Sequence, residues 1–317
     1  MDKEKKISKS ISFIIPTLNR HASLLTCLEK IDACLSQDRT TAEAIIVDSS
    51  FDDSSRRVSN KFDFARYLHS DVRNRSIQRN KGIKLSEGSV IAFLDDDSFI
   101  HKDWVEKVMY RLRDDNIDIV GGLVIDNDQE LSRYHNTEVI GKVFPSGMTV
   151  ANFGSRIDRF IEVDWLQGCN MAFKRKVFER IPGFDSACIG TAGYEETDLC
   201  IRAKKHGFKI YFDPQIVVEH VRGVRSDVDR DRNKLRGNYY ASRNYSYFIL
   251  KNFGLDMRKI IFIYFKETYW HMIKFAKDAK LTNFVGIFVN MYGKLVGTLL
   301  AYKYNFYVKM INRPLLK

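Results

Sequence analysis

The stretch IAFLDDDSFI, residues 91–100, decides the fold. It begins with an apolar run that predicts a buried strand, which ends in three consecutive carboxylates, Asp95, Asp96 and Asp97. Like charges side by side raise one another's pKa unless a cation lies among them. In extended geometry Asp95 and Asp97 would share one side of the strand, so the outer or the adjacent pair could hold one ion. The stretch therefore indicates a strand that leads into a cation site.

Oxygen ligands of this kind suit Mn²⁺ or Mg²⁺ better than zinc. The alternative is that these acids cap the next predicted helix, which starts near residues 101–103. Capping needs only one acid, and here there are three. We therefore favour the metal site.

Outward from this stretch, short β-rich runs alternate with amphipathic segments, which predicts an α/β fold with a mainly parallel sheet. The predicted strands are 11–15, 44–48, 66–70, 89–94 and 117–126, and the predicted helices are 21–35, 53–60, 75–85 and 104–112. Polar residues follow three of these strands, at 16–20, 48–50 and 95–97. Because ligands bind outside the carboxyl ends of parallel strands, we expect these segments to meet in one crevice.

The second half of the chain is less regular until an ordered block at residues 163–220. In it we predict a helix from Glu195 to Gly207 and then two strands, 209–213 and 216–220. Beyond residue 223 the pattern is helical and rich in aromatic residues. Two apolar faces are predicted there, one with Phe262, Phe265, Tyr269, Met272 and Ala276, the other with Phe284, Phe288, Met291, Leu295 and Leu299.

The net charge and the cysteine content limit the kinds of partner and compartment that we expect. The 317 residues carry a net charge of +11, which favours an anionic partner such as a phosphorylated ligand or an acidic membrane surface. Basic clusters at 73–81 and 221–236 lack any nucleic-acid motif, so we expect no nucleic acid. Five scattered cysteines without a CxxC pair indicate a reducing compartment. The polar N-terminus shows no secretory signal, and we expect a cytoplasmic protein.

An ordered set of motifs carries a family resemblance. They are SFIIPTLNR (12–20), IIVDSSFDDSS (45–55), RSIQRNKGIKLSEGSVIAFLDDD (75–97), GCNMAFKRKVFERIPGFD (168–185), YEETDLCIRAKKHGFKIYFDP (194–214) and VVEH (217–220). In this order they resemble the family-2 inverting glycosyltransferases of the GT-A fold, over roughly residues 10–222. The resemblance implies a Rossmann-like domain at 1–222, with a donor half near 10–125 and an acceptor half near 126–222, followed by a helical region at 223–317.

The resemblance also implies roles for single residues. For the nucleotide-diphospho-sugar donor these are Pro16, Thr17, Asn19, Arg20, Asp48, Arg79, Asn80, Gly82 and Asp96. The metal ligands for Mn²⁺ or Mg²⁺ are Asp97, Asp95 and His220, and the acceptor-side residues are Trp165, Gly168, Asn170 and Glu195. Arg79 and Asn80 could instead pack a helix end, His220 could be a buried structural histidine, and Asp48 could be a helix cap.

The catalytic base implied by the resemblance is Glu196. The family has aspartate at this position, so a glutamate reaches one methylene further, and Glu195 is its natural competitor. Asp198 would orient the base or favour the positive end of the helix dipole. The arginine-rich segment 220–238 would either fold over the donor phosphates or serve as a linker.

The C-terminal segment 283–302 is long enough to cross a bilayer, but Asn290 and Lys294 lie near its middle. A central lysine costs about 3 kcal/mol on insertion, so we favour an interfacial or packing helix. Lys303 among tyrosines resembles a membrane-surface pattern, which would suit a lipid-linked acceptor and a peripheral location at the cytoplasmic face of the inner membrane. The helices could instead cover the sheet or pair two subunits into a homo-oligomer.

Two other functions stay open. A nucleotidyltransferase also uses a nucleotide fold with paired aspartates, but it ordinarily has a glycine-rich phosphate loop, and PTLNR (16–20) is not one. A non-catalytic scaffold of the same fold is the second, with Glu196 as the departure that suggests it.

Overall fold

The structure is a computed structural model that describes residues 11–37, 41–127, 137, 139–190, 193–221, 234–254, 256–278 and 281–311. The described residues group into two compact units. The first lies within Met1–Val143, Thr149–Ser186 and Leu199–Asp229, and the second within Phe144–Met148, Ala187–Asp198 and Arg230–Lys317. Residue 222, the predicted domain boundary, and residues 222–233 of the arginine-rich segment lie outside the described residues.

The elements in chain order are as follows: β1 (Ile11–Thr17), α1 (His21–Gln37), β2 (Ala42–Asp48), α2 (Ser54–Ser59), β3 (Ala65–His69), α3 (Arg75–Leu85), β4 (Val90–Phe93), β5 (Ser98–Ile100), α4 (Trp104–Leu112), β6 (Ile119–Asp126), β7 (Lys142–Val143), β8 (Thr149–Val150), β9 (Ile161–Glu162), β10 (Met171–Lys174), α5 (Lys176–Arg180), α6 (Glu195–Lys205), β11 (Ile210–His220), α7 (Lys234–Phe253), α8 (Met257–Asp278) and α9 (Leu281–Ile311). The strands and helices predicted before residue 127 are confirmed. The two strands predicted after Gly207 are one strand, β11.

The central sheet of the first unit confirms the predicted α/β class. Its strand order is β3-β2-β1-β4-β10-β6-β11-β5, with β9 paired to β11. Strands β1 to β4 run parallel to one another and β6 runs parallel to β11, while β10 lies antiparallel between β4 and β6. The carboxyl ends of β1, β2 and β4 therefore lie at one edge of the sheet, where polar residues follow each strand.

The sheet has an apolar core on each face. In β1 the alternation of side chains sends Ile11, Phe13 and Ile15 into one core and Ile14 into the other. Strand β1 is buried along its whole length because helices cover both faces, as is typical of parallel sheets. Burial of one such isoleucine or phenylalanine contributes about 1.5–3 kcal/mol.

Strand β5 and the end of β11 determine how the polar edge is completed. The two strands pair antiparallel, with Ser98 opposite His220. Strand β11 reaches this register through a bulge, since Asp213 pairs with Gly122 of β6 and the next pair joins Val218 to Val124. A Cβ atom on Gly122 would lie 2.2 Å from the carbonyl oxygen of Asp213, so glycine is required for this close approach.

In the second unit, helices α7 and α9 pack closely through small residues. A Cβ atom on Gly297 would lie 2.2 Å from the carbonyl oxygen of Arg243, and one on Gly293 would lie 2.7 Å from that of Tyr239. Polar residues of α9 also face α7, because Asn290 and Lys294 are both buried. The side-chain amide of Asn290 donates to Ser242 Oγ at 2.5 Å.

The two apolar faces predicted in the C-terminal helices lie on the outside of the molecule. Phe265 of α8 is 73% exposed and Leu299 of α9 is 60% exposed. The other large members of both faces are exposed as well, namely Phe262, Tyr269, Met272, Phe284, Phe288, Met291 and Leu295. Spacing therefore predicted which residues share a face, but not that the face is exposed.

Candidate active site

The three aspartates lie in a tight turn and not in an extended strand. Strand β4 ends at Phe93, and the Ser98 amide donates to the carbonyl oxygen of Asp95 at 3.1 Å, so Asp96 and Asp97 occupy the centre of the turn. The expectation of extended geometry is wrong because the chain must turn here to enter β5. The turn, and not strand alternation, therefore sets the directions of the three carboxylates.

Asp95, Asp97 and His220 nevertheless converge. One ligand atom from each lies within 4.8 Å of the others, and within the described part of the chain this is the group of three that could hold a metal ion. His220 Nε2 is 3.1 Å from Asp97 Oδ1, and His220 Nδ1 is 3.5 Å from Asp126 Oδ2. The backbone reinforces this approach, since the amide of Val221 donates to the Asp97 carbonyl oxygen at 2.9 Å.

This donor set fits a divalent cation. Two carboxylates and one imidazole suit Mn²⁺ well, and Mg²⁺ is compatible through the carboxylates. Asp97 and His220 are buried, so their rotamers are restrained, while the Asp95 side chain keeps 22% of its surface exposed. The cluster therefore combines fixed ligands with an accessible one.

Two arginines lie beside the aspartates and provide positive charge there. Arg20 Nη1 lies 3.2 Å from Asp96 Oδ1 and 2.6 Å from Asp97 Oδ2. Arg79 Nη2 lies 3.0 Å from Asp95 Oδ1 and also donates to the Gly168 carbonyl oxygen at 3.2 Å. Each of the three acids thus has a guanidinium partner.

The ionisation of these groups follows from burial and from their partners. Burial raises the pKa of Asp96 to about 7, against the lowering effect of the Arg20 charge. Burial also disfavours ionised Asp97, but the hydrogen bond with His220 and nearby positive charges outweigh it and hold its pKa below the ordinary value. For His220, burial is outweighed by the bond to Asp97, and its pKa is raised. Asp97 and His220 therefore each favour the charged form of the other.

The loop after β1 contributes to the same site. Thr17 Oγ1 donates to Asp96 Oδ2 at 2.6 Å, which ties the end of β1 to the aspartate turn. Asn19 has a positive φ of 55°, and its backbone amide donates to Ser50 Oγ at 2.6 Å. Pro16 lies within β1, opposite Val47 of β2. The structure therefore brings the predicted donor residues Thr17, Arg20 and Asp96 together.

Asp48 is held at the end of β2. Its Oδ1 accepts hydrogen bonds from the Ser50 amide at 2.9 Å and the Ser50 hydroxyl at 2.5 Å, and its Oδ2 accepts from the Tyr67 hydroxyl at 3.1 Å. It caps no helix, because α2 begins after Asp53. Ser50 belongs to the polar segment 48–50 that the sequence indicated, whereas sequence reasoning missed Tyr67, which follows from no local pattern.

Gln78 is a further residue that the sequence did not single out. Its amide nitrogen donates to the carbonyl oxygens of Thr17 at 3.1 Å and Val47 at 2.8 Å. It thereby joins helix α3 to the ends of both β1 and β2. Its place in IQRNKG, one residue before Arg79, was the available signal.

Asn80 and Gly82 have the contacts of the packing alternative. The Asn80 amide donates to the Phe184 carbonyl oxygen at 2.8 Å, and its Oδ1 accepts from the Phe184 amide at 2.7 Å. A Cβ atom on Gly82 would lie 2.4 Å from Ile14 Cγ2, so glycine lets α3 pack on β1. Arg79 is fully buried; its guanidinium donates to Asp95 and Gly168 and lies 5.0 Å from the centroid of the Phe184 ring.

Asn170 needs correction as an acceptor-side residue. It is fully buried, its Oδ1 accepts from Trp104 Nε1 at 2.9 Å, and its amide donates to the carbonyl oxygens of Leu123 and Ile216 at 3.1 and 3.0 Å. These bonds join α4, β6 and β11 inside the core. Its polar atoms are thus used by the fold.

The other acceptor-side residues of the first unit are Trp165 and Gly168. Trp165 Nε1 donates to the Val150 carbonyl oxygen at 3.2 Å, and its ring meets that of Phe153 edge-on at 4.8 Å between centroids. Its side chain is half-buried. Gly168 is buried and accepts the bond from Arg79.

Glu195 and Glu196 belong to the second unit. Both lie in the first turn of α6, where the positive end of the helix dipole favours carboxylates. Glu195 is buried and Glu196 is half-buried. Tyr194, just before the helix, has a positive φ of 75°.

Two family models match parts of this chain. The model of the family described as glycosyl transferase family 2 matches residues 12–182, more than half of the chain, and one described as an N-terminal domain of galactosyltransferase matches residues 150–222. The parallel sheet with its acidic turn defines a GT-A-type protein. The chain belongs to glycosyl transferase family 2.

Two curated relatives are similar over part of their length. One is the glucosyl-dolichyl phosphate glucuronosyltransferase of Haloferax volcanii, 28% identical over 204 residues, which cover 61% of this chain and 63% of the relative. The other is the amylovoran biosynthesis glycosyltransferase AmsB of Erwinia amylovora, 28% identical over 214 residues, which cover 63% and 65%. The chain thus spans less than two thirds of the length of each.

Two solved structures share the fold. The mannosyltransferase PcManGT from Pyrobaculum calidifontis, in complex with GDP-Man and Mn²⁺, has a TM-score of 0.52 and 18% identity, covering 97% of this chain and 81% of that one. TarS 1-349 of S. aureus, in complex with UDP-GlcNAc, has a TM-score of 0.61 and 13% identity, covering 91% and 81%. At these identities the likeness shows the GT-A fold.

The correction at Asn170 can be tested by Asn170→Asp. This change keeps the size but removes both amide donors and adds a buried charge, so we expect unfolding free energy to fall by about 2–4 kcal/mol. Urea denaturation measures it. Asn60→Asp, at an exposed position after α2, is the control and should change stability by less than about 1 kcal/mol. Unchanged stability of Asn170→Asp would restore the acceptor role.

Proposed function

We propose that this protein is a metal-dependent, inverting hexosyltransferase of cell-surface polysaccharide synthesis. It moves a sugar from a nucleotide-diphospho-sugar to a saccharide or a lipid-linked saccharide. The observation that carries the proposal is the meeting of Asp95, Asp97 and His220 with Arg20 at the carboxyl edge of β1 and β4. Ligands of open α/β sheets bind at this edge.

The donor is proposed to bind with its diphosphate beside Arg20. A guanidinium on one side of an acidic metal site suits phosphate oxygens, because it can donate two parallel hydrogen bonds. Arg20 is partly exposed, with 19% of its side-chain surface accessible, so it can turn from Asp96 and Asp97 to a ligand. The solved neighbours were crystallised with GDP-Man and UDP-GlcNAc, which supports a donor of this class.

Asp95, Asp97 and His220 would hold Mn²⁺ or Mg²⁺. When bound, the ion supplies positive charge that stabilises the developing charge of the leaving diphosphate. Asp96 is proposed to contact the ribose, and Asp48 the base or ribose, because both lie at strand ends on the same edge. Thr17, from the predicted donor set, and Gln78, which the sequence did not single out, hold these strand ends in register.

Glu196 is proposed as the general base. It takes the proton from the acceptor hydroxyl, whose oxygen bonds to the anomeric carbon while the bond from that carbon to the diphosphate breaks. The nucleoside diphosphate leaves as an anion and needs no proton, so one carboxylate suffices. A single displacement from the opposite face inverts the configuration. Glu196 is favoured over Glu195 because it is the more accessible of the two.

The acceptor is proposed to be lipid-linked or a growing polysaccharide. The names of the two relatives, a glucosyl-dolichyl phosphate glucuronosyltransferase and an amylovoran biosynthesis enzyme, support these classes. Domain 1–222 is proposed to carry the transfer reaction and region 223–317 to associate with the cytoplasmic face of the membrane.

The exposed faces of α8 and α9 support membrane association. Residues Phe284–Phe306 form a helix that by length and composition could cross a membrane. Its polar residues Asn290 and Lys294 are buried, so the outer face is apolar and aromatic. The exposed tyrosines at 292, 302 and 304 and the neighbouring Lys303 suit a lipid–water interface better than the dry core of a dimer. We therefore propose a peripheral location.

The metal and donor assignments are tested together by calorimetry. In a screen of nucleotide sugars, wild-type protein should bind one donor in the presence of Mn²⁺ and lose at least about tenfold affinity on chelation. Asp97→Asn should abolish the metal-dependent part, because one of the two buried ligands loses its charge.

The control is Asp71→Asn, whose carboxylate is 95% exposed and which should bind normally. Equal metal-dependent affinity in Asp97→Asn would remove the metal assignment. Binding without any transfer would favour the scaffold, and release of pyrophosphate from a nucleoside triphosphate and a sugar phosphate would favour a nucleotidyltransferase.

Replacement of the proposed base separates binding from chemistry. Glu196→Gln should keep donor affinity and lower turnover by about 10²-fold or more, because the amide cannot accept the proton. Release of nucleoside diphosphate in the presence of acceptor measures turnover. Glu195→Gln is the matched comparison, and a full rate in Glu196→Gln with a loss in Glu195→Gln would transfer the role to Glu195.

Membrane association is tested by flotation with vesicles. Wild-type protein should float with vesicles that contain anionic lipid, and Leu295→Glu/Leu299→Glu should float at least about fivefold less, because charges on the outer face oppose burial in lipid. Tyr110→Glu, at a 65% exposed position of α4, is the control. A protein that stays in solution as a dimer by light scattering would instead support pairing of two subunits.

A further inference from the structure

Helix α7 makes a series of contacts with the segment that carries the two glutamates. We call residues 187–190 and 193–198 the acid-bearing segment; they belong to the same compact unit as α7. Arg243 Nη1 donates to the carbonyl oxygen of Ala187 at 2.8 Å. The Asn244 amide donates to the carbonyl oxygen of Ile189, also at 2.8 Å.

The contacts continue one turn at a time along α7. Gly190, with φ of 73°, lies against Tyr240, since a Cβ atom there would be 2.2 Å from the ring. The Tyr194 ring stacks on Phe248, with 5.1 Å between centroids and 26° between planes. Positions 240, 244 and 248 are spaced by four and therefore lie on one face of α7. This face contacts the acid-bearing segment at three successive points.

The last contact is a buried ion pair. Lys251 Nζ lies 2.7 Å from Asp198 Oδ1, with only 4% and 2% of the two side chains exposed. The Asn252 amide donates to the same oxygen at 2.9 Å. Removing one partner of such a pair leaves an uncompensated buried charge, which is strongly destabilising. Asp198 and Lys251 must therefore stay together.

Lys251 itself is fixed from several sides. Its ammonium lies 5.6 Å from the centroid of the Tyr247 ring and 4.9 Å from that of Tyr304 on α9. These are cation–π distances. Asp198 is thus held by a cation whose own position is set by two helices of the same unit.

Glu196 lies between two anchors. The amide of Asp198 donates to the carbonyl oxygen of Tyr194 at 2.8 Å, closing one helical turn that contains Glu195 and Glu196. Tyr194 is anchored by its ring and Asp198 by its carboxylate. The positive φ of Tyr194 costs energy in a non-glycine residue and persists only where the surroundings over-determine it.

We propose that α7 is the template that holds the acid-bearing segment in its working conformation, and that Lys251 is a positioning residue that fixes Glu196 through Asp198. The kinetic part of this inference rests on the proposed function, in which Glu196 is the base. It assigns the C-terminal unit a part in the transfer step that is separate from membrane association.

Hydrogen exchange tests the template without reference to activity. In Lys251→Met, amides of residues 193–198 should exchange at least about tenfold faster, while those of the central sheet are unchanged. Lys61→Met, at an exposed lysine after α2, should change neither. Asn244→Ala removes the contacts to Ile189 and one acceptor of Arg243, which keeps its bond to the Ala187 carbonyl oxygen. It should speed exchange around residues 189–190 even if Lys251→Met fails to fold. Unchanged exchange in a folded Lys251→Met or in Asn244→Ala overturns the template.

Kinetics test the positioning role. Lys251→Met should lower kcat about tenfold with the donor KM unchanged, and Lys251→Arg should recover part of the loss by restoring the ion pair. If Lys251 acts through Glu196, adding Lys251→Met to Glu196→Gln should cause no further loss of kcat.

Losses that multiply in the double variant would overturn the positioning role and indicate a general structural effect. A wild-type protein that transfers no sugar, or a Glu196→Gln variant with full rate, would instead count against the proposed function. The exchange experiment decides on the template in that case too.

Discussion

The compensation of three adjacent carboxylates at the end of β4 is the constraint on which the rest of the site depends. Arg79 pairs with Asp95, Arg20 pairs with Asp96 and Asp97, and the His220 ring lies within hydrogen-bonding distance of Asp97. These three side chains come from the loop after β1, from α3 and from the end of β11. Burying an unpaired carboxylate costs several kcal/mol, so the acidic turn is stable only when all three elements are in place.

Much of the fold could be predicted because it rests on local patterns. Apolar runs predicted β1, β2, β4 and β6, since strands covered on both faces are apolar throughout. Strand β5 was not predicted, because three residues after a turn carry no period. The partners of Asp95, Asp48 and Asn170 come from distant parts of the chain, and no spacing in the sequence encodes them. Residue types at strand ends identified the site, whereas contacts between elements decided which side chains are free to act.

The C-terminal helices show a different limit of sequence reasoning. The spacing of the aromatic residues correctly predicted which residues share a face of α8 and of α9. The same spacing fits a buried face and an exposed one, so it could not predict which way each face points. In the sequence, Lys294 and Asn290 argued against a helix that crosses a bilayer. In the structure they lie against α7, where Gly293 and Gly297 let the helices approach closely. The polar residues thus serve the packing of the unit and leave its outer face apolar.

The turn that joins β4 to β5 has a consequence for how this protein can vary. Asp97 reaches His220 only because Ser98, its immediate neighbour, is in register with that histidine across the β5–β11 ladder. Inserting or deleting one residue between Leu94 and Ser98 would rotate the following side chains to the opposite face of β5. Substitutions in this stretch change one group at a time, while a change of length moves all of them. The number of residues between Leu94 and Ser98 therefore matters for the site as much as the identity of its acids.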